Sequence, residues 1–165
     1  MKGNQLVYIV EGADCTGKTT LCQKLADAFN IPYVHLTYYE DEEKMHEQFQ
    51  GVIDRINNNE SLVIDRFVLS NIIYGEVFQN GKTVKDFERM LDIFSRDGVN
   101  LVICLPDNDE KWLEIFEGMT KQREEMYCDV DSMRMVNTLF KHYAVILSKG
   151  CFIYNLIIKK YKTDL

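Results

Sequence analysis

The chain is short of positive charge. Lys and Arg number 19 against 26 Asp and Glu, a formal charge of −7, and no basic stripe interrupts that balance. Broad electrostatic attraction to nucleic acid or to an anionic membrane is therefore not expected, and any small anion must be held by a local device. Paired cysteines are missing too. The five present, Cys15, Cys22, Cys104, Cys128 and Cys151, are odd in number and lack C-x-x-C spacing. That argues against both a disulfide framework and a zinc site, and for a reduced, cytoplasmic setting. No apolar stretch is long enough to span a bilayer, and Met1-Lys2-Gly3-Asn4-Gln5 leads toward the first strand without the long apolar region of a signal peptide. His35, His46 and His142 share no metal-binding spacing. No repeat, linker or low-complexity segment breaks the chain, so residues 1–165 read as one domain.

What the chain does have is a short apolar run, Leu6 to Val10, that reaches Gly12 and continues Ala13-Asp14-Cys15-Thr16-Gly17-Lys18-Thr19-Thr20. This is G-x-x-x-x-G-K-T, the P-loop pattern, in the strand, loop and helix context that the pattern requires. Gly12 and Gly17 let the backbone curl so that successive N–H groups point inward, and a helix N-terminus adds partial positive charge. Such a cradle suits a polyphosphate, with Lys18 on the β- and γ-phosphates and the Thr19 hydroxyl on Mg²⁺. The plain alternative is a glycine turn that opens a helix.

Downstream, short apolar runs alternate with amphipathic stretches. After the loop, Leu21, Leu25 and Phe29 mark one helix face. Strands are expected at Tyr33–Leu36, Ser61–Asp65, Val99–Leu105 and Cys151–Ile157. Helices are expected around Met45–Ile56, Ser70–Phe78, Val84–Phe94, Lys111–Phe116 and Val136–Leu147, and a polar segment spans Gly118–Asp129. The economical reading is an α/β, three-layer P-loop NTPase fold: about five parallel strands, helices on both faces, ligands at the strands' carboxyl ends. Asp65 closes the third strand beside the loop, well placed to act on Mg²⁺ or to polarise an acceptor oxygen. Arg66 next to it suits an acceptor phosphate, unless the pair merely caps the next helix.

At these residues the chain resembles the thymidylate kinase branch of the P-loop nucleotide kinases. Glu11-Gly12-Ala13-Asp14-Cys15-Thr16-Gly17-Lys18-Thr19-Thr20 matches that family's E-G-x-D-x-x-G-K-[ST]-T. Asp65-Arg66-Phe67-Val68-Leu69-Ser70, with Tyr74 beyond, matches its D-R-[YFH]-x-x-S and following aromatic. The resemblance implies Mg·ATP-dependent phosphorylation of a deoxynucleoside monophosphate, a dTMP-like pyrimidine, with Asp14 near the sugar hydroxyl and Arg66 on the acceptor phosphate. Catalysis would fall to Lys18, Asp65 and Arg123, and the metal to Thr19 and Asp65. The acceptor would be held by Asp14, Arg66, Phe49, Gln50, Tyr74 and Lys121.

Cys15 stands where some family members carry an arginine, so a transition-state cation is expected from the segment near 118–129, the place of the family's lid. Arg123 and Lys121 are the candidates there, though a solvated charge run would look the same. The related deoxynucleoside kinases offer a second resemblance: Phe49-Gln50 is similar to their base-reading pair, and Asp65 would then be the base for a 5′-hydroxyl. Phe49 also falls on an apolar helix face with Met45 and Ile53, where core packing explains it. Tyr74 could flank the base or pack on Phe78, and Trp112 reads as a packing residue. A P-loop NTPase without an acceptor and a nucleic-acid kinase are further alternatives, the latter disfavoured by the charge. The expected partner is a small nucleotide, without nucleic acid or membrane, and the resemblance makes a homodimer plausible.

Overall fold

The computed structural model describes residues 5–37, 41–79, 81, 91–122, 129–150 and 155–162, with the backbone alone at 120–122. Five strands form one sheet: β1 (Val7–Gly12), β2 (Tyr33–His35), β3 (Leu62–Asp65), β4 (Val99–Pro106) and β5 (Asn155–Tyr161). Their order is β2-β3-β1-β4-β5, and every neighbouring pair is parallel. The described helices are α1 (Lys18–Phe29), α2 (Glu42–Asn57), α3 (Val68–Phe78), α4 (Asp109–Gln122) and α5 (Val130–Lys149).

The central strands are apolar on both faces because both faces are covered. Val7 and Ile9 of β1, Leu62 and Ile64 of β3, and Leu101 and Ile103 of β4 join the large core beneath α2, α3, α4 and α5. The alternating residues Val10, Val63, Val102 and Cys104 meet Cys22 of α1 on the other side. That period of two later decides where each polar residue at a strand end can point.

Helices on both faces of a five-stranded parallel sheet are as the sequence pattern indicates, and the differences lie in details. The helix after the P-loop buries Cys22 rather than Phe29, which is 47% exposed and stacks on Tyr8. Strand β2 stops at His35, one residue early. Helix α3 starts at Val68, not Ser70, because its first amides find acceptors outside the helix. Helix α4 runs from Asp109 to Gln122, longer than expected at both ends, so the polar segment that begins at Gly118 is helical through Gln122. The Asn108 side chain caps its start by accepting from the amides of Glu110 and Lys111. Strand β5 continues to Tyr161, four residues past its expected end, while residues 151–154 of the expected strand lie outside the described residues. The stretch Val84–Met90 lies outside the described residues, and the end of that expected helix is a 3₁₀ turn at Asp92–Ser95.

Strands β3 and β4 flank β1 on opposite sides: the chain leaves β1 toward β2 and β3 on one side, then crosses past β1 to β4 and β5 on the other. The crevice at the carboxyl ends of these three strands is where an open α/β sheet binds ligands.

Candidate active site

The loop between β1 and α1 is shaped by its glycines. Gly12 has φ of 148°, and a Cβ there would strike the Cys104 carbonyl and lie 3.0 Å from the Thr16 hydroxyl oxygen. Gly17 has φ of 74° and lies against the Tyr161 ring of β5, so it too admits no side chain. Cys15 adopts φ of 60°, a left-handed conformation unusual outside glycine. Thr16 Oγ1 donates to the Ala13 carbonyl at 2.7 Å, and Lys18 Nζ donates to the same oxygen at 2.5 Å. Lys18 is buried, and burial together with the like charge of Arg66 lowers its pKa from the ordinary lysine value. A polyphosphate on this lysine would oppose both effects.

Asp65 is a hub on the α1 face. Its Oδ2 accepts from Thr19 Oγ1 at 2.7 Å and Tyr33 Oη at 3.0 Å, and lies 3.3 Å from His35 Nδ1. Its Oδ1 is buried with no hydrogen-bond partner among the described residues. A bare carboxylate oxygen beside a threonine hydroxyl offers the hard oxygen donors that Mg²⁺ takes. Thr19 and Asp65 therefore fit that ion. Among the described residues no group of three His, Cys, Asp or Glu side chains could hold a metal by itself, and Mg²⁺ at nucleotide sites commonly draws further ligands from phosphate and water.

Arg66, the next residue, serves the opposite side. Its φ of 69° is left-handed, and its amide donates to the Val10 carbonyl at 2.9 Å. The guanidinium pairs with the Asp14 carboxylate and lies over the Tyr74 ring, 5.4 Å from its centroid. Burial alone would raise the Asp14 pKa, but the charges of Arg66 and Lys18 outweigh it and hold the carboxyl below its ordinary value. The Tyr74 phenol is pushed up by burial and by Asp14. The Asp14 amide donates to Tyr74 Oη at 3.2 Å, and the Trp112 indole N–H donates to the Asp14 carbonyl at 2.7 Å. Tyr74 also packs on Phe78, with ring centroids 5.9 Å apart, the second of its two expected roles.

Two hollows meet at Arg66. A cleft of about 580 Å³ runs over Gly17, Lys18, Thr19 and Thr20 and is walled by His35, Met119 and Tyr161. A smaller pocket beneath α3 is lined by Leu36, Met45, Phe49, Phe67 and Tyr74, with Thr37, Ser70 and Asn71 as polar points. Arg66 lines both. Of the expected site residues, the P-loop, Asp65, Arg66 and Tyr74 come together. Phe49 lines the pocket while also packing edge-on against Phe67 at 5.2 Å, so it is both core and wall. Gln50 is not brought in: its side chain donates to Asp54 at 2.7 Å on the outside of α2. Gln48 instead ties down Thr37, accepting from its amide and donating to its carbonyl. Arg123 and the Lys121 side chain lie outside the described residues.

Several participants were not legible as site residues. Tyr33 and His35 reach Asp65 only because β2 pairs with β3, in a register that sets His35 beside Asp65. Trp112 is a packing residue, fully buried, yet its N–H holds the P-loop. Tyr161 sits beyond the expected end of the last strand. Cys15 makes a cross-chain contact: its thiol donates to Met119 Sδ at 3.3 Å, joining the P-loop to α4.

A glycine-bounded phosphate loop on a parallel sheet of order 2-3-1-4-5, with Asp-Arg closing the neighbouring strand, defines the fold of the P-loop kinases. Comparison with known proteins agrees. Over 78 residues the chain is 33% identical to the SPbeta prophage-derived uncharacterized protein YorR of Bacillus subtilis (strain 168), a match spanning 45% of each protein. The solved structure of Bacillus subtilis YorR in complex with phosphorylated GDP superposes with a TM-score of 0.64 at 22% identity, covering 93% of this chain and 84% of that one. Deoxyadenosine kinase from M. mycoides with bound dATP gives 0.64 at 12% identity, covering 94% and 91%. Thymidylate kinase from Candida albicans gives 0.59 at 10% identity, covering 98% and 86%. No family model matches the chain. No helix among the described residues is long and apolar enough to cross a membrane.

Proposed function

We propose that the protein transfers the γ-phosphoryl group of Mg·ATP to a deoxynucleoside monophosphate, a dTMP-like pyrimidine nucleotide. The observation that carries this reading is Arg66, paired with Asp14 of the phosphate-loop cleft and lining both that cleft and an apolar pocket. A guanidinium there suits the acceptor phosphate, a carboxylate suits the sugar hydroxyl, and an aromatic-walled pocket suits a base. The donor's polyphosphate would lie on the P-loop amides of Gly12 to Thr20 and on Lys18. Mg²⁺, held by Thr19 and Asp65, would neutralise phosphate charge.

A monophosphate is a competent nucleophile at neutral pH, so positioning and positive charge suffice. Arg123 supplies the second cation, with Lys121 in a lesser role. This reading is favoured over a nucleoside kinase because Asp65 turns toward Thr19, Tyr33 and His35 and does not line the apolar pocket, where the base for a 5′-hydroxyl would have to act. A homodimer and a cytoplasmic location belong to the same proposal. A coupled assay with ATP and a panel of nucleosides and monophosphates tests it: dTMP or dUMP should outrun thymidine by a wide margin. Faster turnover of thymidine or deoxycytidine would establish the nucleoside kinase instead, and hydrolysis indifferent to every acceptor would refute both.

A further inference from the structure

Glu11 is the penultimate residue of β1, with no exposed surface. Strand alternation sends it to the same face as Val7 and Ile9, beneath α3, where a hydrocarbon would be expected. Its Oε1 instead accepts from the amides of Phe67 and Leu69, each at 3.0 Å, and its Oε2 accepts from the Ser70 amide at 3.1 Å and from the Ser70 hydroxyl. The first amides of a helix lack partners within it. Phe67, at the cap position of α3, offers no side-chain bond, so a carboxylate from another strand does the capping.

This arrangement is costly. Burial outweighs all four donors and pushes the Glu11 carboxyl up to about 7. A local Ser, Thr or Asp at the cap would satisfy the same amides more cheaply. What a local cap would not do is fasten the start of α3 to the strand that carries the P-loop. Arg66 lies between two such fastenings, its own amide on Val10 and the Phe67 amide on Glu11, and it holds the left-handed conformation disfavoured for a residue with a side chain.

We propose that Glu11 is a positioning residue for the acceptor: by bonding the 67–70 backbone to β1, it fixes Arg66 in the left-handed turn that aims its guanidinium at Asp14, and so sets acceptor and donor at one separation. This rests on the function proposed above. It separates Glu11 from the donor machinery although the two are adjacent in sequence.

The test uses Glu11→Gln, Glu11→Asp and Ser70→Ala, with dTMP and Mg·AMPPNP as probes. Binding is followed by the fluorescence of Trp112, the single tryptophan, whose indole touches the Asp14 carbonyl. Glu11→Gln sets an amide N–H₂ against the Ser70 N–H and should weaken dTMP roughly tenfold while leaving AMPPNP within about threefold. In turnover it should raise the KM for dTMP more than it lowers kcat. Ser70→Ala should act in the same direction, by about threefold. Glu11→Asp, too short to reach both ends, should exceed Glu11→Gln; if it does not fold, Glu11→Gln alone decides. Equal weakening of both ligands, or of neither, overturns the proposal. Should wild-type protein bind no dTMP, it is the monophosphate reading that fails. The coupling is then read by amide exchange in Glu11→Gln: faster exchange at Arg66 as well as Phe67 supports it, and unchanged exchange at Arg66 overturns it.

Discussion

Asp65 and Arg66 are neighbours in the chain and work on opposite sides of the sheet. Asp65 follows the strand's alternation to the α1 face, where Thr19, Tyr33 and His35 surround it. Arg66 leaves the strand through a left-handed turn and joins Asp14, Tyr74 and the pocket beneath α3. Two consecutive residues thus serve the proposed donor cleft and the proposed acceptor pocket, which meet at Arg66. Period-two alternation, which elsewhere only packs the core, here assigns chemistry to a side.

That division can be broken first at the donor side, where the largest effect is expected. Lys18→Ala should cost at least about 10²-fold in kcat with the fold intact, since it removes charge from the transferring group. Near-normal turnover, with circular dichroism showing native structure, would remove the P-loop assignment. Asp65→Asn comes next, with a loss of about tenfold or more that excess Mg²⁺ only partly restores; a Mg²⁺ titration of kcat measures it. Arg123→Ala should lower kcat about tenfold while changing the KM for ATP little, as befits a contact made in the transition state. A pure KM effect would return that segment to the role of charged surface.

Smaller effects sharpen the acceptor side. The Glu11 carboxyl has a folded-state pKa of about 7 against an ordinary value of 4.5. Between those values the folded protein binds more protons at this group than the unfolded chain does, so stability falls as pH rises through the interval. Below it, the carboxyl is protonated in both states and imposes no penalty. Above about 7 the penalty is complete, on the order of 3 kcal/mol. Relative to wild type, Glu11→Gln should therefore gain stability between pH 5 and pH 8, as urea unfolding at the two values would show; a pH-independent difference would contradict the buried ionisation. Smallest of all, Cys15→Ala should keep nearly full activity, because the loop uses the backbone at this position. Alkylation of Cys15 in the wild type should inactivate it and be slowed by bound ATP, whereas mass-spectrometric labelling that ignores ATP would place the thiol away from the nucleotide.

The donor region was the more legible of the two, for a physical reason. A phosphate loop is a local object: Gly12, Gly17, Lys18 and Thr19 lie within one turn of chain, so their spacing alone describes the cradle. Buried parallel strands such as β3 and β4 are equally plain because both faces demand hydrocarbon. Strand β5 is an edge, exposed along nearly its whole described length, so hydropathy ends it early, at Ile157, and hides Tyr161. The acceptor region is assembled from separations of 52 to 60 residues, as in Arg66 to Asp14 and Asp14 to Tyr74. Its key residue Glu11 looks like any strand-end carboxylate until α3 is seen above it. Gln50 shows the converse error: a pairing with Phe49 that reads well in sequence fails because successive helix residues face different ways.

A donor cleft and an acceptor pocket that adjoin at Arg66, as proposed, require two sites occupied together. The most direct measurement is calorimetric titration of dTMP into protein already saturated with Mg·AMPPNP. The account predicts one dTMP per chain with affinity no weaker than in the absence of AMPPNP; loss of dTMP binding when AMPPNP is bound would mean that the two share one site, and would contradict it.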